Sequence, residues 1–292
     1  METSLDNLNI YETKGIIAKA LLEDIGSGDI TAQLTVPKDA EIQAELIAME
    51  DGIIAGLELA AMTFTFDSSG ENVEFCPLIK EGERVSCGQV FGKIQGFARA
   101  ILQTERVALN FLQWLSGIAT LTARYVAAVE GYPVKIYDTR KTTPCLRMLE
   151  KYGVRVGGGY NHRFGLYDGI LIKENHIRSA GGIKEAVNRA RVANMEIEVE
   201  TETLDEVREA VSTGVDIIML DNMDIAIMKK AVDIIRENKK RILIEASGGI
   251  NLENIRDVAA TGVDRISIGA LTHSPRILDI SLEVISRSGI LA

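Results

Sequence analysis

Thr213-Gly214-Val215-Asp216-Ile217-Ile218-Met219-Leu220-Asp221 decides the fold, because its opening returns 48 residues later as Thr261-Gly262-Val263-Asp264. Each copy sets a glycine where a helix can stop, then a short aliphatic run suited to a strand. An interval of 48 residues holds two units of about 24, the length of a strand, a helix and two short loops. Working outward, similar runs lie at 135–138, 169–173, 196–200, 216–221, 241–245 and 264–269. Between most of them, apolar residues recur at helical spacing over 182–193, 204–213, 224–238 and 251–261. Thr203-Leu204-Asp205-Glu206 has the spacing of a capping box, and Gly214 and Gly262 stand where helix ends are expected.

Alternating strands and helices with apolar strands predict a parallel sheet covered by helices. No Gly-x-Gly-x-x-Gly follows a first strand, which disfavours a dinucleotide-binding open sheet. Polar residues gather instead at strand C-terminal ends: Asp138 to Lys141, Lys173, Glu200, Asp221, Glu245 to Ser247, and Gly269. In a barrel those ends share one mouth, where active sites lie. The expectation is an incomplete parallel α/β barrel. The first 110 residues differ, with strand patterns at 41–49, 73–75 and 92–94 and turns at Asp51-Gly52, Glu81-Gly82 and Cys87-Gly88. An apolar helical stretch over 103–130, weakened at Gly117, links the two parts.

The 292 residues are 46% hydrophobic and 25% charged, the balance of a packed globular chain, and no apolar run reaches the roughly 18 residues a bilayer span needs. Met1 to Asp6 is acidic and lacks the basic start of a signal peptide. Three widely spaced cysteines (Cys76, Cys87, Cys145) suggest neither a disulfide framework nor a zinc site, and a reducing cytoplasm is expected. A net charge of −10 repels nucleic acid and anionic membranes. Against that background, Arg140 to His176 carries seven Lys or Arg and only three acids, a basic island suited to a small anion or to a solvated, salt-bridged face.

Within the island, Asp138-Thr139-Arg140-Lys141-Thr142-Thr143-Pro144 sets two adjacent cations after a strand. The guanidinium offers a planar fork for carboxylate or phosphate, and the ammonium a mobile point charge. Gly157-Gly158-Gly159-Tyr160-Asn161-His162-Arg163 lets backbone N–H groups approach an anion, or serves as a flexible connector. Lys173 ends an apolar strand and must reach the mouth or solvent. Glu200 and Asp221 end successive strands and could bind sugar hydroxyls, hold Mg²⁺ or act as acid and base; Glu198 and Glu202 share the facing of Glu200, so period does not choose among them. Ser247-Gly248-Gly249 and Ile268-Gly269-Ala270-Leu271-Thr272-His273 leave backbone donors open to a phosphate at the last strands. The three histidines, His162, His176 and His273, lack metal-ligand spacing.

Taken in order, these motifs, with Glu23 to Thr31, Glu105-Arg106-Val107-Ala108-Leu109-Asn110, Ser116 to Thr120 and Met219-Leu220-Asp221-Asn222, closely resemble the quinolinate phosphoribosyltransferase family over nearly the full length. The resemblance implies a pentosyl transfer in NAD biosynthesis. Quinolinate and 5-phosphoribosyl 1-diphosphate would give nicotinate mononucleotide, CO₂ and diphosphate, with Mg²⁺. It implies an α/β sandwich domain over 1–112, joined by a C-terminal helix at 276–292, beside a barrel over 113–275, and a homodimer with shared sites. Arg140, His162, Arg163 and Lys173 would hold the quinolinate carboxylates, with Arg106 from the other subunit. Lys141 and Lys173 would face the diphosphate, with Thr139 beside them. Glu200 and Asp221 would hold ribose hydroxyls, directly or through Mg²⁺. Ser247, Gly248, Gly249, Ile268, Gly269, Ala270 and His273 would cradle the 5-phosphate. Neither nucleic acid nor membrane is an expected partner.

Two residues depart from the family pattern: Cys145 stands where glycine is expected, and Trp114 where a polar or basic residue is commoner. Three other readings remain open: a Schiff-base barrel enzyme using Lys173 or Lys141, a molybdenum-uptake-associated paralogue of the fold, and a non-catalytic phosphate-binding scaffold.

Overall fold

The structure, a computed structural model, describes residues 9–66 and 73–288. The acidic stretch Met1 to Asp6 and positions 289–292 of the expected C-terminal helix lie outside the described residues. Two compact units emerge, one formed by Met1–Leu121, Met148–Gly157 and Pro275–Ala292, the other by Thr122–Arg147 and Gly158–Ser274.

The first unit begins with α1 (Ile10–Ile25), capped by the Asn9 side chain, and α2 (Ile30–Thr35), capped by Asp29. Then come β1 (Glu41–Ala48), β2 (Gly52–Ile53), α3 (Leu57–Phe64), β3 (Val73–Pro77), β4 (Arg84–Val85), β5 (Val90–Phe97) and the long α4 (Ala98–Ala128). Period-two burial along β1 sends Ile42, Ala44, Leu46 and Ala48 inward. They pack with Leu57 and Phe64 of α3 and with Ile101, Leu109 and Leu112 of α4. This is the expected sandwich of a sheet against helices.

The 276–292 segment corrects the sequence-based expectation. Residues Ile280–Ser288 form a strand antiparallel to β1, giving the sheet order β12-β1-β5-β3 with this strand as β12. Ile280, Leu282 and Val284 alternate with Ser281 and Glu283, a period of two that suits a strand. Pairing also closes an edge that β1 would otherwise expose. The same segment explains Gly117 inside an otherwise unbroken α4. A Cβ there would stand 2.2 Å from the Arg276 carbonyl oxygen, so the glycine admits a close backbone crossing.

The second unit carries β6 (Lys135–Tyr137), α5 (Arg147–Val156, its remaining residues grouped with the first unit), β7 (Ile170–Ile172), α6 (Glu174–Ala180), α7 (Ile183–Ala190), β8 (Ile197–Thr201), α8 (Leu204–Thr213), β9 (Ile217–Asp221), α9 (Ile225–Arg236), β10 (Leu243–Ser247), α10 (Ile255–Ala260), β11 (Arg265–Ser267) and α11 (Ala270–His273). Six parallel strands run in the order β6-β11-β10-β9-β8-β7. Tyr160 adds a parallel bridge on the free side of β6. Among the described residues no ladder joins that edge to β7, so the barrel is incomplete, as expected.

The repeated Thr-Gly-Val-Asp has a mechanical reason. Gly214 (φ 69°) and Gly262 (φ 93°) supply left-handed turns after α8 and α10. Asp216 then accepts the Ile197 N–H at 3.0 Å, and Asp264 the Ile244 N–H at 2.8 Å. Each aspartate thus pins the start of its strand to a neighbour. The capping box forms too: Thr203 Oγ1 accepts from the Glu206 N–H, and the Glu206 carboxylate accepts from the Thr203 N–H.

The unit boundaries differ from the expected 112/113 and 275/276. The first falls at 121/122 inside α4, where an unbroken helix leaves no mark in the sequence, and the last at 274/275. Residues 148–157 join the first unit, where Gly153 lies tight against the Ile118 side chain and the Leu115 carbonyl.

Candidate active site

Parallel strands bring their C-terminal ends together by construction. Here those ends surround a cavity of about 440 Å³. Thr139, Arg140 and Lys141 reach it from beyond β6, Lys173 from β7, Glu200 from β8 and Asp221 from β9. Ser247, Gly248 and Gly249 enter from β10, and His162 and Arg163 complete the wall. Leu171, Met219, Asn222 and Ser267, none singled out as site residues from the sequence, line it as well. Ile268, Gly269, Ala270 and His273 stand outside the lining, although Gly269 packs against both Lys141 Cδ and the His273 ring. Arg106 is exposed on α4 and also outside it.

The cavity is prepared for negative charge. Arg140 and Arg163 each have a buried Nε with no hydrogen-bond partner among the described residues. Both guanidiniums line the cavity, and each has hydrogen-bonding capacity that the described residues leave unused. Burial, then the neighbouring charge of Arg140, pushes the Arg163 guanidinium below its ordinary range. One Arg163 terminal nitrogen is fixed by the Gly169 carbonyl at 3.0 Å. Lys173 Nζ is paired with Glu200 Oε2 across the mouth. Asn222, in a left-handed conformation (φ 54°), donates to Asp221 Oδ2 at 2.7 Å. Gly248 makes room for it: a Cβ there would lie 2.2 Å from Asn222 Oδ1.

Beneath this wall lies a polar floor. Asp138, fully buried, accepts from the His162 N–H at 2.8 Å and from Asn161 Nδ2 at 2.6 Å. His162 Nδ1 accepts the Arg163 N–H at 2.9 Å, so the ring proton sits on Nε2. That Nε2 is 3.0 Å from Glu198 and 3.4 Å from Glu245, both buried. The three groups lie within 4.8 Å of one another, a spacing that could suit a metal. The tautomer opposes that use, because the single lone pair of a neutral imidazole is already engaged at Nδ1. Burial and then the charge of Glu198 push the Glu245 carboxyl up to about 7.

The floor also resolves the three glutamates of β8 and its exit. Glu198 faces His162 in the interior, Glu200 reaches the mouth, and Glu202 is exposed. Glu245 gave one signal in the sequence, a carboxylate inside an apolar strand, which is costly unless it has partners.

Comparison with known proteins covers nearly the whole chain. The family model for the quinolinate phosphoribosyl transferase N-terminal domain matches residues 29–116, and that for its C-terminal domain residues 118–283. A probable nicotinate-nucleotide pyrophosphorylase (carboxylating) of Bacillus subtilis is 45% identical over 282 residues, covering 95% of each chain. The crystal structure of NadC from Streptococcus pyogenes has a TM-score of 0.88 at 41% identity, covering 96% of this chain and 99% of its own. The nicotinate-nucleotide pyrophosphorylase of Francisella tularensis has a TM-score of 0.90 at 40% identity, covering 97% and 99%.

Proposed function

This chain belongs to the quinolinate phosphoribosyl transferase family, and from that premise we propose that its barrel mouth transfers phosphoribosyl from 5-phosphoribosyl 1-diphosphate to quinolinate with loss of CO₂, a step of NAD biosynthesis. One observation carries the assignment to this site: Arg140, Lys173, Glu200 and Asp221, from four strand ends, and Arg163, from the loop before β7, line a single cavity.

Quinolinate is a dicarboxylate, and the paired guanidiniums suit it, since each fork can grip one carboxylate face. Lys173 lines the same cavity, and Lys141 would face the diphosphate. His162 is included in the carboxylate site on the same reading, although it would have to turn one ring nitrogen from its internal partners. As the bond from the ribose to diphosphate breaks, positive charge grows on the sugar, and Glu200 and Asp221 offset it electrostatically. The pyridine nitrogen lone pair forms the new bond to that carbon. The ring is then cationic, and its positive nitrogen stabilises the electron pair left on the adjacent carbon when the C–carboxylate bond breaks, so no dedicated base is required; a proton from water then replaces CO₂ on that carbon. Gly248 (φ 86°) and Gly249 (φ 62°) allow close backbone approach to the 5-phosphate beside Ser247, with Ile268, Gly269, Ala270 and His273 adjoining.

Glu200 and Asp221 present oxygen donors only, the set a hard cation such as Mg²⁺ takes. Mg²⁺ there would neutralise the departing diphosphate. Lys173 Nζ is engaged with Glu200, which disfavours the Schiff-base rival at that lysine. The same reading includes a homodimer in which Arg106 of a second copy completes the site, consistent with its exposure on α4. It also includes a cytoplasmic setting, which suits the three exposed free cysteines. No described helix is long and apolar enough to cross a membrane.

The test is release of labelled CO₂ from carboxyl-labelled quinolinate, with nicotinate mononucleotide appearing in step. Release must depend on the phosphoribosyl donor. Donor-independent release, or none at saturating concentrations of both substrates, rejects the assignment.

A further inference from the structure

Arg147 opens α5 and lies outside the cavity lining, and nothing in the chemistry above uses it. Its guanidinium nevertheless joins the two loops that carry the substrate-facing arginines. Nε donates to Thr142 Oγ1 at 2.9 Å, one terminal nitrogen to the Phe164 carbonyl at 3.0 Å, and the other to the Arg140 carbonyl at 3.5 Å. Arg140 and Thr142 belong to the loop after β6, while Phe164 follows Arg163 directly in the next loop. Each loop is also tied within itself: the Lys141 N–H donates to Thr139 Oγ1, and the Phe164 and Gly165 N–H groups donate to Asp168. Asp138 ties the two loops on the N-terminal side of the arginines, through the His162 N–H and Asn161 Nδ2, and Arg147 ties them again at Arg140, Thr142 and Phe164.

Two guanidiniums side by side repel, and Arg163 already feels the charge of Arg140. Their spacing must therefore be imposed by what holds their backbones. A third guanidinium behind them, in contact with backbone carbonyls of both loops, can do this because its donors form a rigid planar fork. We propose that Arg147 is a positioning residue that fixes the separation of Arg140 and Arg163, and with it the fit of the dicarboxylate substrate. The inference rests on the functional assignment above. A lysine could reach one of the three acceptors but not bridge them. Misplacement by about 1 Å at a site of this kind costs as much as 100-fold.

The experiment measures both Michaelis constants, and the equilibrium binding of quinolinate alone, for wild type, Arg147→Lys, Arg147→Gln and Thr142→Val. Both Arg147 variants should raise the quinolinate KM and Kd by about 10-fold or more, with the KM for 5-phosphoribosyl 1-diphosphate within about 2-fold of wild type. Thr142→Val removes the Nε acceptor at similar volume and should raise the quinolinate values a few-fold. A merely structural arginine would move both substrates together or neither, and either pattern overturns the inference. If the Arg147 variants fail to fold, Thr142→Val decides, and an unchanged quinolinate KM rejects the clamp. The parent assignment is judged separately, on wild type: no donor-dependent turnover there removes the assignment and this inference together, whereas normal turnover with unaffected variants removes only the inference.

Discussion

Glu245→Gln probes the floor of the site. The Glu245 side chain is fully buried, facing Glu198 from β8, His162, and Ser267 and Arg265 from β11. Burial and the Glu198 charge lift it from 4.5 to about 7. A carboxyl that holds its proton more tightly in the folded chain stabilises the fold fully below its ordinary range. That contribution disappears as pH rises through about 7. The displacement is worth about 3 kcal/mol. Glutamine keeps the shape and an N–H in place of the O–H but has no proton to lose. The unfolding free energy of wild type should therefore fall by up to about 3 kcal/mol more than that of the variant between about pH 5 and about pH 8. Urea titrations of both proteins across that window read the difference directly, provided that each transition is two-state. Parallel profiles would refute the protonated floor and return Glu245 to the role of an ionised partner of His162.

Gly117→Ala sets two effects against each other. Helix propensity favours alanine by about 1 kcal/mol, but its Cβ would lie 2.2 Å from the Arg276 carbonyl oxygen, and overpacking of that kind costs about 1–3 kcal/mol or more. The melting temperature should fall, and a rise would show that the 276–277 backbone yields freely. Cys145→Gly should stabilise by about 1 kcal/mol, because Cys145 holds φ 67°, a left-handed conformation unfavourable to a side chain. An unchanged denaturation midpoint would remove that strain from the account. Arg163→Lys replaces a fork by a point charge and should raise the quinolinate KM by about 10- to 100-fold, the loss of one or two charge-assisted hydrogen bonds; unchanged kinetics would remove Arg163 from the site.

The six barrel strands were legible because each is a short apolar run ended by a polar residue, and because Gly214 and Gly262 mark the turns that precede two of them. Cys145 was legible in part: a departure from the family's glycine at a turn anticipates the left-handed backbone found there. The helix α4 was legible as a long apolar stretch, but neither the unit boundary inside it nor the strand at 280–288 was, for different reasons. A helix crossing from one unit to another has no break to detect, whereas the alternation in β12 was present and needed only its partner β1 to give it meaning.

The glutamates of β8 expose the deeper limit. Period two tells which side of a strand a residue faces, but not its depth below the mouth of a barrel. Glu198 and Glu200 share a side, yet one meets His162 in the buried floor and the other meets Lys173 at the rim. Depth depends on where neighbouring strands stand in register, and Glu198 acquires its effect on Glu245 only when β8, β9 and β10 are laid side by side. The cations were legible because strand ends advertise the mouth. The carboxylates beneath them were not, because the group that makes the buried Glu198 tolerable, His162, is 36 residues away in the chain and is brought there only by the fold. Substitutions at the rim should therefore act on substrate affinity, whereas substitutions in the floor should act through protonation and stability.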